Sequence, residues 1–324
     1  GNMRRVILLG IVFFFSSISL ASGFYIGSGF NGLVEVIAGN QEWNMRVIPV
    51  TSLSSGGIVA GKLIFNVLRD KGFAVITVLH PGGYRVVDTF HCEAIEVNIE
   101  RLEVFVADGT HGVEVFKFYG SSFYKHIQTI PLKGWVNSLA YLGDYLLVGS
   151  ELDGLFVIRR GEKGFELIDH IYPRYVSDLE EGVVVNAITA WENSFYVAAG
   201  ERGVMVFEIG DSALVKKAEI KVGYAMDVSV SDGDLFVVDS RVDEILVFDT
   251  NNFSLKERHV VNGKLRETVP IIDWQNHNKL LVCRLDDSVA VIDRNTSQEI
   301  FSLKGSFFGL VEARYFLDHP FLDE

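Results

Sequence analysis

The stretch "VFVADGTHGVEVF", from Val104 to Phe116, joins two runs of apolar residues through a short turn that contains Gly and Asp. Valine and phenylalanine favour strands, and Gly and Asp accept the backbone angles of tight turns. The stretch therefore predicts a β-hairpin. Its second half, "VEVF", has the form apolar residue, any residue, Val, then Ile or Phe.

This form occurs seven times along the chain, with a second apolar run shortly before each copy. Further strand-like segments flank the pairs, such as "VNSLAYL" before and "FELIDHI" after the fourth copy. Successive copies are 39, 40, 42, 49, 41 and 44 residues apart. Four strands in every ~40–45 residues is the period of a β-propeller blade. The valines that the copies share are Val36, Val75, Val115, Val157, Val206, Val247 and Val291.

The repeat predicts an all-β fold, a seven-bladed β-propeller of four-stranded antiparallel blades. The two middle strands of each repeat are almost continuously apolar, as expected for sheets that pack against neighbours on both faces. The fourth strands, such as "SLKERHV", are more polar, which suits an outer edge. Open β-solenoids usually have a shorter period of ~20–30 residues, and β-sandwiches do not repeat one motif seven times.

Two segments, "AMDVSVSDGDLFVVDSRVDEILVFDT" and "VFVADGTHGVEVF", resemble the LVIVD-type repeat of bacterial and archaeal surface propellers. The family pattern contains Tyr-Val-Ala-Asp-Gly followed by Gly-Leu, and residues 107–109 match its Ala-Asp-Gly. The resemblance covers most of the chain. It implies display or binding outside the cytoplasm (periplasmic, cell-surface or secreted) and no specified reaction.

The N-terminal residues have the layout of a secretory signal peptide. Two arginines precede an apolar run from Val6 to Leu20, and small residues follow it. We therefore expect a signal peptide over residues 3–21 and a single propeller domain over residues 22–324. The run is short for a membrane span, so no stable span is expected in the mature chain. In a competing interpretation, Phe15–Leu20 forms the innermost strand of the first blade.

The C-terminal segment after the seventh copy has room for one inner strand, roughly Gly309–Phe316. Pairing of this strand with the N-terminal "FYIGS", "LVEVI" and "MRVIPV" would complete the first blade and close the ring. The formal net charge is −13 with no basic stripe, which argues against nucleic-acid binding. The two cysteines, Cys92 and Cys283, fall far apart around the predicted ring and should be free thiols.

Candidate binding residues lie in three kinds of segment. The turns between second and third strands should share one face. Tryptophans beside inner strands could stack on sugars or clamp a peptide, and the longest repeat step adds an aromatic and charged segment that could form a flap. Turn chemistry alone, or a structural role for the tryptophans, would also explain many of these residues. The candidates are Asp108, His111, Asp153, Arg202, Trp135, Trp274, Tyr172, Arg174 and Tyr175.

The innermost strands should face a central channel. Glu96, Ser138, Ala187 and Asp227 align on these strands, and the carboxylates of Glu96 and Asp227 are the candidate metal ligands, because Ca²⁺ prefers oxygen. Two carboxylates on separate blades are too few to establish a site, and solvated channel lining is the favoured explanation. Apart from this Ca²⁺, the sequence indicates no cofactor.

No catalytic motif stands out: HExxH, CxxC and GxSxG are all missing from the sequence. The favoured function is an exported, non-catalytic propeller that binds a protein, peptide or glycan through one face or the channel mouth. One alternative is a propeller hydrolase or lyase with a metal ion in the channel. Another is a structural scaffold in a cell-envelope assembly.

Overall fold

The computed structural model describes residues 22–38, 42–78, 81–120, 123–171, 182–271 and 278–315. Within these residues the chain forms 28 β-strands and one short 3-10 helix, Pro81–Gly83. The all-β class is confirmed. Two predicted features lie outside the described residues: the signal peptide over residues 3–21 and the alternative strand Phe15–Leu20. The candidate residues Tyr172, Arg174, Tyr175 and Trp274 also lie outside them.

The first fourteen strands in chain order are β1 (Ser22–Gly27), β2 (Leu33–Ala38), β3 (Trp43–Ile48), β4 (Ser54–Ala60), β5 (Leu63–Leu68), β6 (Gly72–Thr77), β7 (Arg85–Asp88), β8 (Ala94–Asn98), β9 (Glu103–Ala107), β10 (Val113–Phe118), β11 (Tyr124–Ile130), β12 (Val136–Leu142), β13 (Tyr145–Ser150) and β14 (Gly154–Gly161). The remaining strands are β15 (Gly164–Ile171), β16 (Ala187–Trp191), β17 (Ser194–Ala198), β18 (Val204–Ile209), β19 (Leu214–Ile220), β20 (Ala225–Ser231), β21 (Asp234–Asp239), β22 (Glu244–Asp249), β23 (Leu255–Val260), β24 (Leu265–Ile271), β25 (Leu280–Leu285), β26 (Ser288–Asp293), β27 (Glu299–Lys304) and β28 (Gly309–Tyr315).

Five sheets of four antiparallel strands follow one another along the chain: β8–β11, β12–β15, β16–β19, β20–β23 and β24–β27. Each begins with an inner strand, continues through the two buried strands of the repeated motif, and ends with an exposed strand. In β9 and β10 every residue but Lys117 is buried, whereas most residues of β11 are not. The predicted four-stranded antiparallel sheets are therefore present.

The sixth sheet has eight strands in the order β3-β2-β1-β28-β4-β5-β6-β7. Strand β28 pairs antiparallel with β1 at Ile26↔Leu310 and Gly27↔Gly309. Farther along, it pairs parallel with β4, as at Val311↔Gly57. The C-terminal strand thus lies where the sequence predicts it, but it also joins two groups of four strands that the repeat pattern predicts to be separate.

Glycines explain why these two groups of strands merge. A Cβ atom at Gly27 would lie 1.9 Å from the carbonyl oxygen of Ser55, and one at Gly309 would lie 2.5 Å from the backbone nitrogen of Gly56. Only residues without a side chain permit such an approach of two backbones. The backbone groups of β28 therefore reach β4 as well as β1.

The hydrophobic core lies between neighbouring sheets rather than inside any one of them. One cluster combines residues of β9 and β10 with residues of β12 to β14. Another joins the last four-stranded sheet to β1 and β2, and on their outer strands Trp43 stacks on Phe301 with ring centroids 4.7 Å apart. We call the seven innermost strands β4, β8, β12, β16, β20, β24 and β28 the first strands. Each of them contacts the next in this order, and β28 also contacts β4.

Cys92 and Cys283 are both buried and free, as the sequence predicts. Burial raises the pKa of both thiols well above the ordinary value, so they are poor nucleophiles. In the part of the chain that the structure describes, no helix has the length and apolar character needed to cross a membrane.

Candidate functional site

The turns between second and third strands contact the beginning of a neighbouring first strand at three places. Isolated bridges join Gly29 to Ser54, Gly109 to Val136 and Gly200 to Ala225. These contacts place the turns of residues 28–32, 108–112 and 199–203 beside the starts of the neighbouring first strands. We call this side of the molecule the turn face.

A cavity of about 350 Å³ lies among the first strands, and all seven of them line it. Much of its lining comes from the beginnings of these strands, so it lies toward the turn face. Three of the lining carboxylates, those of Asp227, Glu267 and Glu312, belong to the adjacent strands β20, β24 and β28. Arg284 donates from Nε to Glu267 Oε2 at 2.9 Å.

Burial changes the protonation of these carboxylates. It raises the pKa of Asp227 well above its usual range, and the charge of Glu267 adds to the effect. It also raises the pKa of Glu312 to about 7, again with a contribution from Glu267. Desolvation disfavours the charged form of a carboxyl group, and a like charge nearby acts in the same direction. The cavity therefore holds two carboxyl groups that bind protons more tightly than ordinary carboxylates do, and Glu312 takes up its proton near neutral pH.

The expected alignment of Glu96 with Asp227 is wrong, because Ala94 occupies the equivalent position. Ala94 pairs with Ala107 of β9, and Asp227 pairs with Val238 of β21. These two partners occupy the same position in their respective strands. The loop between the paired ends of β8 and β9 has four residues, whereas the loop between β20 and β21 has two. Because of the two extra residues, counting back from the repeat valine reaches Glu96 instead of Ala94. The residue that does match Asp227 on the next first strand is Glu267, which sequence counting missed.

Glu96 is only 1 % exposed and is not among the residues that line the cavity. Its carboxylate accepts backbone N–H bonds from Val97 at 2.9 Å and from Tyr141 at 3.1 Å. Tyr141 belongs to β12, so the carboxylate links two neighbouring first strands. Asp227 lines the cavity, whereas Glu96 is bonded to the backbone beside it.

A partly exposed group of side chains, which we call the rim cluster, lies on the turn face beside the cavity. Its members are Phe90, His91, Glu93, His111 and Trp135. The indole Nε1 of Trp135 donates to Glu93 Oε1 at 3.2 Å, and His91 Nε2 lies 2.8 Å from the same oxygen. Phe90 stacks on His111 with ring centroids 4.1 Å apart. Two of the predicted binding residues, Trp135 and His111, thus belong to one surface.

The rim cluster combines exposed aromatic faces with charge. Trp135 is 41 % exposed and Phe90 is 56 % exposed. Glu93 also forms an ion pair with Arg69, whose Nη1 lies 3.2 Å from Glu93 Oε2, and both residues line the cavity. Such a surface can stack on a planar or sugar ring while a charged pair provides hydrogen bonds.

Asp108 positions the segment that carries the rim cluster, because its Oδ1 accepts the backbone N–H of His91. Asp153 lies nearby: its carboxylate occupies the space that a Cβ atom would need at Gly134, next to Trp135. Arg202, in contrast, forms an ion pair with Glu219 on an outer strand of its own sheet. The structure thus groups Asp108, His111, Trp135 and Asp153, and gives Arg202 a different setting.

Comparisons with known proteins show the fold alone. No family model and no curated protein matches this sequence. A crystal structure of a protein from Lactobacillus plantarum is similar, with a TM-score of 0.66 and 12% identity over 90% of this chain and 99% of that chain.

Two further structures are similar to the chain. They are apo AztD from Citrobacter koseri (TM-score 0.56, 9% identity, 90% of this chain and 98% of that one) and a chain of a nidogen/laminin complex (TM-score 0.54, 11% identity, 89% and 97%). The structural neighbours are propeller-like proteins, and the fold of this chain is accordingly that of a β-propeller.

Proposed function

We propose that the chain is an exported, non-catalytic propeller of the LVIVD type with seven four-stranded blades. In this proposal residues 3–21 are a signal peptide, and the rest forms one extracytoplasmic domain. The first blade consists of β28, β1, β2 and β3, and the second of β4 to β7. Support comes from the contacts that run from each first strand to the next and return from β28 to β4, and from the packing of the last sheet against β1 and β2.

The proposed activity is binding of a protein, peptide or glycan at the rim cluster. The observation that carries it is the exposure of Trp135 and Phe90 beside the Arg69–Glu93 pair at the cavity. Exposed aromatic side chains that cluster with charged groups are typical of interaction sites. The nidogen structure, which has the same general fold, was solved as a complex with another protein, laminin.

Binding is tested by presenting the purified protein to a glycan array and to a displayed peptide library. For any ligand selected, Trp135→Ala and Phe90→Ala should each weaken binding by about 2 kcal/mol, or roughly 30-fold. Phe123→Ala is the matched control, because Phe123 is 53 % exposed and precedes β11, outside the rim cluster. Ligands that bind the two rim variants as tightly as the parent protein would exclude this site.

A second candidate is a propeller hydrolase or lyase with Ca²⁺ in the cavity. Three carboxylates on adjacent first strands, Asp227, Glu267 and Glu312, favour it, since Ca²⁺ takes oxygen ligands. A Ca²⁺ titration followed by thermal melting tests the idea. Binding of Ca²⁺ in the cavity should raise the Tm of the parent protein and of Glu96→Gln by several degrees, but not that of Asp227→Asn. An unchanged Tm in the parent protein would eliminate this candidate.

A further inference from the structure

Three side chains of the hairpin at Val104–Phe116 converge at one point: Asp108, His111 and Glu114. Each offers one ligand atom, and these atoms all lie within 4.8 Å of one another. Asp108 is 1 % exposed and Glu114 is 8 % exposed, whereas the His111 side chain is about half exposed. A buried pair of carboxylates next to an accessible imidazole is a set of ligands that metal ions use in proteins.

The fold itself does not require these three residue types. The same turn occurs at residues 28–34 and 199–205, where glycines at the matching positions also have positive φ. In all three turns, the backbone N–H of the first residue bonds to the carbonyl oxygen of the last turn glycine. The residues that correspond to Asp108, His111 and Glu114 are Ser28, Asn31 and Val34 in one turn and Ala199, Arg202 and Met205 in the other.

The three turns differ most clearly at the position of Glu114. Val34 and Met205 are buried and apolar at the corresponding position. A buried charge costs free energy unless it is paired, and here a second carboxylate lies close by. A cation placed between the two buried carboxylates would offset their mutual repulsion and the cost of their burial.

The surroundings hold the carboxylates in fixed orientations. Asp108 Oδ1 accepts the backbone N–H of His91, and Glu114 Oε2 accepts the hydroxyl of Thr129 at 2.7 Å. His126 Nε2 also contacts Glu114 Oε2. Hydrogen bonds to ligand carboxylates from outside the coordination sphere are usual at metal sites, where they orient the ligands.

We propose that Asp108, His111 and Glu114 bind a divalent transition metal ion, with Zn²⁺ preferred over Mn²⁺ and Ca²⁺. Asp108 Oδ2 and His111 Nδ1 are 3.9 Å apart, which is too long for a hydrogen bond. Two ligands about 2.1 Å from one ion lie ~3–3.6 Å apart in tetrahedral or octahedral geometry. Rotation of the exposed His111 side chain is required to bring its nitrogen into this range.

The choice of metal follows from the ligands. Imidazole nitrogen suits Zn²⁺ and other transition metals, whereas Ca²⁺ takes oxygen ligands. Among the divalent first-row ions, Zn²⁺ binds nitrogen and oxygen ligands more tightly than Mn²⁺. With three protein ligands the ion keeps at least one position for water or another ligand. That position lies on the turn face, where His111 stacks against Phe90 of the rim cluster.

Calorimetric titration of chelator-treated protein with Zn²⁺, Mn²⁺ or Ca²⁺ tests the proposal. We expect one Zn²⁺ per chain, weaker binding of Mn²⁺ and no competition by Ca²⁺. The variants His111→Asn and Glu114→Met introduce the residues found at the corresponding positions of the two similar turns, Asn31 and Met205, so the hairpin should still form. Each should weaken Zn²⁺ binding by roughly tenfold or more.

Two controls test whether the effect is local to these three residues. Phe123→Ala, outside the rim cluster, and Asp227→Asn, in the cavity, should retain the Zn²⁺ affinity of the parent. His111 is exposed, so His111→Asn keeps the test valid even if Glu114→Met fails to fold. Absence of Zn²⁺ binding, unchanged binding in His111→Asn, or loss of binding in Asp227→Asn would overturn the proposal. No partner takes part in this titration, so its result is independent of the proposed binding function.

Discussion

Polar side chains on or just before the first strands make hydrogen bonds with the backbone of the neighbouring first-strand region. Glu96 accepts the N–H of Tyr141, and Asn186 Nδ2 donates to the carbonyl oxygen of Ala225 at 2.9 Å. Asp227 Oδ2 accepts the N–H of Thr268 at 3.0 Å. These bonds satisfy backbone N–H and C=O groups of the neighbouring first-strand region. A structural role thus accounts for much of the polarity that the sequence places on the first strands.

The carboxyl group of Glu312 should make stability depend on pH. Its pKa is about 7 in the folded protein, above the value of ~4.3 expected in an unfolded chain. The folded state therefore binds the proton more tightly, and the stability from this group is lost as pH rises from about 4 through 7. The Glu312→Gln variant has no ionisable group at this position. Relative to the parent protein, its free energy of unfolding should therefore increase more at pH 8 than at pH 5, by about 1–3 kcal/mol.

Chemical denaturation at both pH values measures this difference. Glu201→Gln is the control, because the Glu201 side chain is 78 % exposed. Asp227 and Glu267 face the same cavity, and the raised pKa of Asp227 acts in the same direction, so some dependence on pH should persist in Glu312→Gln. Equal gains at pH 5 and pH 8 would mean that Glu312 titrates as an ordinary surface acid.

At the level of strands, the close approach of β28 to β4 depends on glycine. Gly309→Ala would place a Cβ atom 2.5 Å from the nitrogen and 2.9 Å from the Cα of Gly56, so the two backbones must separate. We expect a loss of roughly 2–4 kcal/mol in the free energy of unfolding. Gly82→Ala is the control, since no atom lies within 4 Å of a Cβ there. If both variants unfold at the same denaturant concentration, β28 and β4 do not pack as closely as described.

The position of the buried strands could be predicted from the sequence, whereas their pairing with the first strands could not. The repeated valines located the buried strands because side-chain burial leaves a local apolar pattern. The shift of Glu96 went unnoticed because loop length, four residues in one hairpin and two in another, leaves no such pattern. Phe90 and His91 were missed as binding candidates for a related reason. They lie between sheets, and only the fold brings them to His111 and Trp135.

At the scale of the whole molecule, the first and last strands of the described chain depend on each other. Val269 and Val282 of the last four-stranded sheet share a core cluster with Ile26 of β1 and Leu310 of β28. The repeat predicted where β28 lies, because the tail had room for one strand. It did not predict the pairing with β4, which depends on glycine positions outside the repeated motif.

Removal of residues 306–324 tests the proposed closure of the ring. The deletion removes β28, which leaves backbone groups of β1 and β4 unpaired and exposes apolar residues of the last sheet. Unpaired strand edges and lost core contacts destabilise strongly, so we expect a broad unfolding transition at a much lower temperature. A synthetic peptide of residues 306–315 should restore part of the lost stability, whereas the same peptide with Gly309→Ala should restore less. A truncated protein that melts like the parent would show that β28 does not hold the first and last sheets together.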